Sequence, residues 1–288
     1  EAGENVSKST IKKIGGFIYV IQIKKWKRIF YDIINEKGSN GTVFFLNGVM
    51  ASVSSWKFQI EALIKEDYKI VVHDFIGQLL SDKFEGLYSF EQHSLDLYEL
   101  IQYLNEDKIH LIGTSYGGEV AMKFASIFPK VAKSMTVINS VSELDEKVVK
   151  IVEEWVELAK SYNGKEFFEK MLPSIYGQTY IVNNRDFLSQ RALAMNGIPK
   201  SYFDGQIGLY KTFINDVYMT DILSNIQCPS LIIVGEEDTL KPVKFSQIIA
   251  DNLSNSQLKI IPDCGHVTIF EKPAELNTYL IEFLKDAN

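Results

Sequence analysis

The chain has little of what marks a disulfide-rich, metal-binding or nucleic-acid-binding protein. Its 288 residues include only two cysteines, Cys228 and Cys264, whose number and separation fit neither a disulfide framework nor a metal site. We expect both to be structural thiols, as in a reducing compartment. Acidic residues outnumber basic ones, giving a net charge of −7 and a pI near 5.3. This balance argues against a nucleic-acid partner.

Long apolar runs are also missing, and none approaches the roughly 18 residues that a membrane span requires. Residues 14–21 follow two lysines as in a signal peptide, but the stretch is short and continues into Gln22 and Lys24 rather than a small-residue cleavage site. We interpret it as a strand. The expected location is cytoplasmic, with secretion after removal of a signal left open because the chain begins at Glu1. The basic residues 24–28 are expected on a solvated strand or turn.

What the chain does contain is a strand that turns abruptly into a helix within residues 108–128. A short apolar run at 109–112 is typical of a buried strand, and apolar residues then recur at helical spacing, at Val120, Ala121, Phe124, Ala125 and Phe128. Between them, residues 113–117 read G-T-S-Y-G. This fits G-x-S-x-G, the pattern that holds a serine on a strained turn with its hydroxyl exposed. Ser115 is therefore the candidate nucleophile.

The residues beside Ser115 fit this interpretation. A reversal this sharp brings its flanks together and leaves no room for Cβ atoms at Gly113 and Gly117. Tyr116 begins the helix, so its backbone N–H is free to bind an oxyanion. Residues 113–118 also match the start of the phosphate loop G-x-x-x-x-G-K-[ST], but Glu119 stands in place of the lysine and would repel phosphate.

Strand patterns alternate with helical patterns over most of the chain. The predicted strands are 42–46, 69–72, 109–112, 135–138, 230–234 and 258–261, preceded by a hairpin within 14–34. This order predicts an α/β protein with a mostly parallel sheet and helices on both faces. No internal repeat or low-complexity tract is present.

The alternation stops between residues 141 and 221, which are rich in aromatic residues. One helical face there carries Val148, Val152, Trp155, Val156 and Ala159. We expect a core of residues 1–140 and 222–288, with a helical cap at 141–221 inserted into it.

In a parallel sheet the site forms at the carboxyl ends of the strands. The polar residues that follow predicted strands are Asn47, Asp74, Ser115, Asn139, Asp238 and His266. Three of them, Ser115, Asp238 and His266, supply a nucleophile, an acid and a base. Their order along the chain, Ser, Asp, His, is the order that distinguishes the α/β fold with a G-x-S-x-G turn from other serine-triad folds.

His266 is preferred as the base over the other three histidines. His110 begins the strand that ends near Ser115, so five residues at roughly 3.3 Å each put it about 16 Å away. His73 and His93 are expected to be structural.

Asp238 is preferred as the acid because it follows its strand by the few residues needed to reach His266. Its rivals are Glu236, Glu237, Asp221 and, by location, Asp74.

Four motifs in order resemble the α/β-hydrolase superfamily over nearly the whole chain. They are L-N-G-V-M at 46–50, G-T-S-Y-G-G at 113–118, L-I-I-V-G-E-E-D at 231–238 and P-D-C-G-H at 262–266. The chain is similar to the small esterase and lactonase group, in which a cap follows the strand after the nucleophile helix. That group usually has His where Asn47 stands. The resemblance implies that the backbone N–H of Val49 is the second oxyanion donor, beside that of Tyr116.

The expected function is hydrolysis of a carboxylic ester or lactone through an acyl-enzyme, without metal or cofactor, by a monomer or homodimer. A serine at the turn argues against the aspartate chemistry of haloalkane dehalogenases and epoxide hydrolases. Thioester or carbon–carbon bond hydrolysis remains open, as does a ligand-binding receptor with an idle triad. The residues expected to line the pocket are Asn47, Met50, Trp155, Tyr180, Phe203 and Val267.

Overall fold

The computed structural model describes residues 7–13, 16–24 and 27–288, with side chains for 20–22 and 27–288. Within these ranges the strands form one nine-stranded sheet in the order β1-β2-β3-β5-β4-β6-β7-β8-β9. The strands are β1 (Ser7–Lys13), β2 (Gly16–Lys24), β3 (Lys27–Ile34), β4 (Thr42–Leu46), β5 (Lys69–His73), β6 (Ile109–Thr114), β7 (Ala132–Ile138), β8 (Ser230–Gly235) and β9 (Ser256–Ile261). From β5 to β9 the neighbouring strands are parallel, and β1, β2, β3 and β5 pair antiparallel. The predicted mostly parallel sheet is confirmed.

Helices cover both faces of this sheet, as predicted. They are α1 (Lys57–Lys65), α2 (Phe90–Tyr103), α3 (Tyr116–Ile127), α4 (Glu146–Lys160), α5 (Gly164–Ile175), α6 (Gln178–Asn183), α7 (Arg185–Ala194), α8 (Lys200–Asp216), α9 (Val243–Asp251), α10 (Thr268–Glu271) and α11 (Pro273–Asp286). Successive side chains of β4 point to opposite faces. Phe44 and Leu46 belong to a core cluster that includes side chains of α2, α3 and α9, whereas Val43 and Phe45 belong to another with side chains of α1 and α11. Both faces are apolar because both are buried.

The hairpin expected within residues 14–34 is present as the antiparallel pair β2 and β3. Outside the described residues lie Ile14 and the turn at 25–26. The sequence did not predict β1, since S-K-S-T-I-K-K lacks the apolar alternation of a half-buried strand. The expectation of a solvated basic cluster is wrong for Lys27, which is buried and forms an ion pair with Asp96. Burial is possible because the carboxylate compensates for the lost hydration of the ammonium group.

Residues 139–229, all of them described, form α4 to α8 and two short 3₁₀ helices. The side chain of Asp145 accepts a hydrogen bond from the backbone N–H of Val148, which caps α4 at its start. The five residues predicted to share one face of α4 are its buried residues. No helix within the described ranges is long and apolar enough to cross a membrane.

The register of the parallel strands fixes where their ends lie. Leu46 of β4 is opposite Gly113 of β6, and Thr114 of β6 is opposite Ile138 of β7. The residues that follow these strands therefore meet at one edge of the sheet. This edge carries Asn47, Ser115 and Asn139.

Candidate active site

The turn from β6 into α3 forces Ser115 into an uncommon backbone conformation, with φ of 51° and ψ of −119°. A Cβ added at Gly113 would lie 2.2 Å from the carbonyl oxygen of Gly117, and one at Gly117 would lie 2.0 Å from that of Leu46. Neither position can carry a side chain unless the backbone moves. The backbone N–H of Ser115 donates to Ile138 O at 2.8 Å, which ties the turn to β7.

A chain of hydrogen bonds leads from the Ser115 hydroxyl into the protein. Ser115 Oγ lies 3.0 Å from His266 Nε2, and His266 Nδ1 lies 2.8 Å from Asp238 Oδ2. Asp238 is buried, and its other oxygen, Oδ1, accepts the backbone N–H groups of Leu240 and Lys241 at 3.0 and 2.8 Å. The structure thus brings together the three residues singled out from the sequence.

The other three histidines are buried, and none is hydrogen-bonded to Ser115. Burial lowers the pKa of His73 to about 4, that of His93 to about 3 and that of His110 to about 4. His110 Nδ1 is bonded to Ser134, and His93 Nε2 to the hydroxyl of Tyr116. All three therefore stay neutral, and His93 and His110 already have partners, whereas His73 Nδ1 has none among the described residues.

Asp74 and Asn47 form a separate buried network. Asn47 Nδ2 donates to Asp74 Oδ1 at 3.2 Å and to His73 O at 3.0 Å, and Asn47 Oδ1 accepts the indole N–H of Trp56 at 2.9 Å. Burial raises the pKa of Asp74 to about 6. The expectation that Asn47 lines the pocket is wrong, because these partners turn its amide into the protein.

The loop after β4 passes directly beside the serine. A Cβ on Gly48 would lie 3.4 Å from Ser115 Cβ, and both Val49 and Tyr116 line the cavity above it. The buried side chain of Gln78 holds this loop, since its Nε2 donates to Gly48 O at 2.8 Å and to Val49 O at 3.2 Å. Sequence reasoning missed Gln78.

A cavity of about 1000 Å³, its open mouth included, lies over Ser115 and His266. Apolar side chains dominate its wall, and α4, α5 and α8 contribute many of them, whereas α7 contributes Arg191. Of the predicted pocket residues, Met50, Trp155 and Val267 line it.

Two predicted pocket residues do not line this cavity. Tyr180 stacks on Tyr176, with ring centroids 5.4 Å apart, and it is Tyr176 that reaches the cavity. Phe203 is buried within the helices, its centroid 5.6 Å from that of Phe167. Both predictions are wrong because the packing of neighbouring helices decides which aromatic face turns inward.

Two further side chains hold the acid and the histidine loop in place. Asn139 adopts a positive φ of 51° and donates from Nδ2 to Asp238 Oδ2 at 2.8 Å. Glu271 accepts the backbone N–H groups of Gly265 and Val267, on either side of His266, at 2.9 and 3.1 Å. The sequence placed Asn139 at a strand end but gave no sign of the role of Glu271.

Glu271 and the histidine loop also contact the helices over the site. Glu271 accepts the backbone N–H of Gly177 at 3.0 Å, and the backbone N–H of His266 donates to Ile175 O at 3.0 Å. Within the described ranges, no group of three His, Cys, Asp or Glu side chains is arranged to hold a metal ion.

This fold and site geometry define a known class. The family model for the alpha/beta hydrolase fold matches residues 41–273, and the chain belongs to that family. Its sequence is 25% identical over 246 residues to a poly(3-hydroxyalkanoate) depolymerase of Ectopseudomonas oleovorans, covering 84% of each chain.

Solved structures agree on the fold. MGS-M2, an alpha/beta hydrolase enzyme from a Medee basin deep-sea metagenome library, superposes with a TM-score of 0.86 at 28% identity, covering 92% of this chain and 97% of that one. A thermophilic esterase from Thermogutta terrifontis has a TM-score of 0.79 at 22% identity, with 99% of both chains covered.

The contact between Gly117 and β4 leads to a stability prediction. Gly117→Ala places a methyl group 2.0 Å from Leu46 O, so we expect the free energy of unfolding in urea to fall by about 1–3 kcal/mol or more. Gly197→Ala is the matched control, because its Cβ meets nothing within 4 Å, and it should change by less than about 1 kcal/mol. Equal free energies of unfolding for the two variants would show that the turn can accommodate a Cβ at Gly117.

Proposed function

We propose that the protein is a serine hydrolase that cleaves a carboxylic ester or lactone through an acyl-enzyme. The observation that carries this proposal is the hydrogen-bonded series Ser115–His266–Asp238 at the floor of an apolar cavity. A nucleophile, a base and a group that orients the base are the parts that acyl transfer requires. The relatives named esterase and depolymerase support the same class of reaction.

The distances suit each proton transfer. With Nδ1 of His266 protonated and bonded to Asp238, Nε2 is free to accept the Ser115 proton as Oγ attacks the acyl carbon. The imidazolium that forms is stabilised by the buried carboxylate and then donates its proton to the departing alkoxide. Water attacks the acyl-enzyme by the same route, with His266 again as the base, and releases the acid.

The oxyanion that forms on attack needs donors beside Ser115. We assign the backbone N–H groups of Val49 and Tyr116 to this role, since both residues line the cavity next to the serine. Such preorganised donors are worth on the order of 3 kcal/mol each in comparable sites.

We further propose that residues 141–221 act as a cap on a core formed by residues 1–140 and 222–288. The support is that Trp155, Met171, Arg191 and Tyr202, from four different helices of this segment, all line the cavity. Apolar walls of this kind bind the acyl or lactone portion of a substrate. The bond from His266 N–H to Ile175 O joins the cap to the histidine loop.

A substrate screen tests the proposed function. We expect p-nitrophenyl esters or lactones to be hydrolysed with a higher kcat/KM than matched acyl-thioesters. In an acyl series from two to eight carbons, kcat/KM should rise over the first few carbons by up to about fourfold per methylene, since each buried methylene contributes up to about 0.8 kcal/mol. Trp155→Ala should flatten that rise, whereas Phe187→Ala, an exposed aromatic in the same cap, should not.

Each alternative has its own result in this screen. Preference for thioesters identifies a thioesterase, turnover limited to carbon–carbon cleavage substrates identifies that class of hydrolase, and no turnover favours a receptor.

The roles of the two candidate acids are separable by kinetics. Asp238→Asn should lower kcat/KM about a thousandfold or more, because the amide favours the wrong imidazole tautomer and does not stabilise imidazolium. Asp74→Asn, in the buried network beside the site, should lower it by less than about tenfold. If both variants fold but Asp74→Asn causes the larger loss and Asp238→Asn the smaller one, the acid of the triad is Asp74, in the loop after β5.

A further inference from the structure

The wall of the cavity carries a polar group that the proposed mechanism does not use. Tyr210, on α8, lines the cavity and is 3% exposed, and its ring meets that of Trp155 edge-on at 5.7 Å. Its hydroxyl has no hydrogen-bond partner among the described residues. A buried hydroxyl without a partner lowers the free energy of unfolding, so its presence on the cavity wall suggests a use other than stability.

Lys241 is a second unused donor on the cavity wall. Its ammonium group is buried and lies 2.7 Å from Glu119 Oε1, which also accepts the backbone N–H of Val141 at 2.9 Å. Burial raises the pKa of Glu119 and lowers that of Lys241, and their pairing opposes both shifts. Lys241 is thus a residue of the cavity wall with N–H donors, and a carboxylate already balances its charge.

These two donors belong to the same part of the wall. Tyr210 and Phe213 are three residues apart on α8 and so share one face of the helix. Lys241 Nζ lies 4.4 Å from the centroid of the Phe213 ring, and Phe213 also lines the cavity. Lys241 follows Asp238 by three residues and is bonded to it through its backbone N–H. Tyr210 and Lys241 thus lie on the part of the cavity wall around Phe213.

From this arrangement we propose that Tyr210 and Lys241 form a polar subsite in the acyl pocket for an uncharged oxygen acceptor on the substrate, such as a ketone. The inference rests on the proposed function, which puts the acyl chain in this cavity. Both groups donate hydrogen bonds, so the ligand atom is an acceptor. Because Glu119 already balances the lysine charge, the subsite favours a neutral oxygen over a carboxylate.

A site built to bond a substrate oxygen discriminates against the analogue that lacks it, since the buried donor then stays unpaired. The test compares p-nitrophenyl hexanoate with its 4-oxo and 5-oxo derivatives. In the wild type, kcat/KM for at least one oxo ester should exceed that for hexanoate by about tenfold, and Tyr210→Phe should reduce that ratio to about one. The readout is the ratio, so any general loss of activity cancels. Tyr218→Phe, an exposed control, should keep the wild-type ratio.

Stability and binding provide readouts that do not depend on turnover. Tyr210→Phe should raise Tm, because it removes the unpaired hydroxyl, and Tyr218→Phe should not. The probe 2-heptanone should raise the Tm of the wild type more than that of Tyr210→Phe.

The possible failures are distinguishable. Hexanoate turnover without an oxo preference overturns the subsite and leaves the proposed function standing. An oxo preference that survives Tyr210→Phe overturns the role of the tyrosine. If hexanoate is not hydrolysed, the proposed function fails, and equal 2-heptanone shifts in the wild type and Tyr210→Phe then overturn the subsite as well.

Discussion

The backbone turn at Ser115 is the constraint on which the rest of the site depends. A non-glycine residue in so sparsely populated a conformation costs of order 1–3 kcal/mol, and it persists only where the surroundings leave no alternative. Here the surroundings are β4 and β7. The carbonyl of Leu46 leaves no space for a side chain at Gly117, and Ile138 O accepts the backbone N–H of Ser115. These contacts hold the turn in its strained conformation, and the turn places the Ser115 hydroxyl at the edge of the sheet.

The remaining groups reach Ser115 through loops, and buried side chains make those loops rigid. Asn139 fixes the carboxylate of Asp238, Glu271 grips the backbone on both sides of His266, and Gln78 holds the loop that contains Val49. Glu271 also bonds to the backbone of the segment over the cavity. The same carboxylate thus bonds both to the backbone around His266 and to the segment over the cavity.

The sequence predicted the elements whose signals are local. Apolar runs marked the parallel strands, G-x-S-x-G marked the turn, and the polar residues at strand ends included Ser115, Asp238 and His266. It failed where the outcome depends on how distant elements pack. Tyr180 and Phe203 could not be separated from the aromatics that line the cavity, because helical spacing does not say which neighbour a face will meet. The role of Glu271 depends on backbone N–H groups that only the folded chain brings to it.

The central claim is that Ser115 is a nucleophile activated by His266, and a fluorophosphonate probe tests it most directly. Incubation of the folded protein should add one phosphonyl group by intact mass, and peptide mapping should locate it on Ser115. Ser115→Ala should remain unlabelled, and His266→Ala should label far more slowly. A folded wild-type protein that stays unlabelled, or that labels equally in Ser115→Ala, would contradict the account.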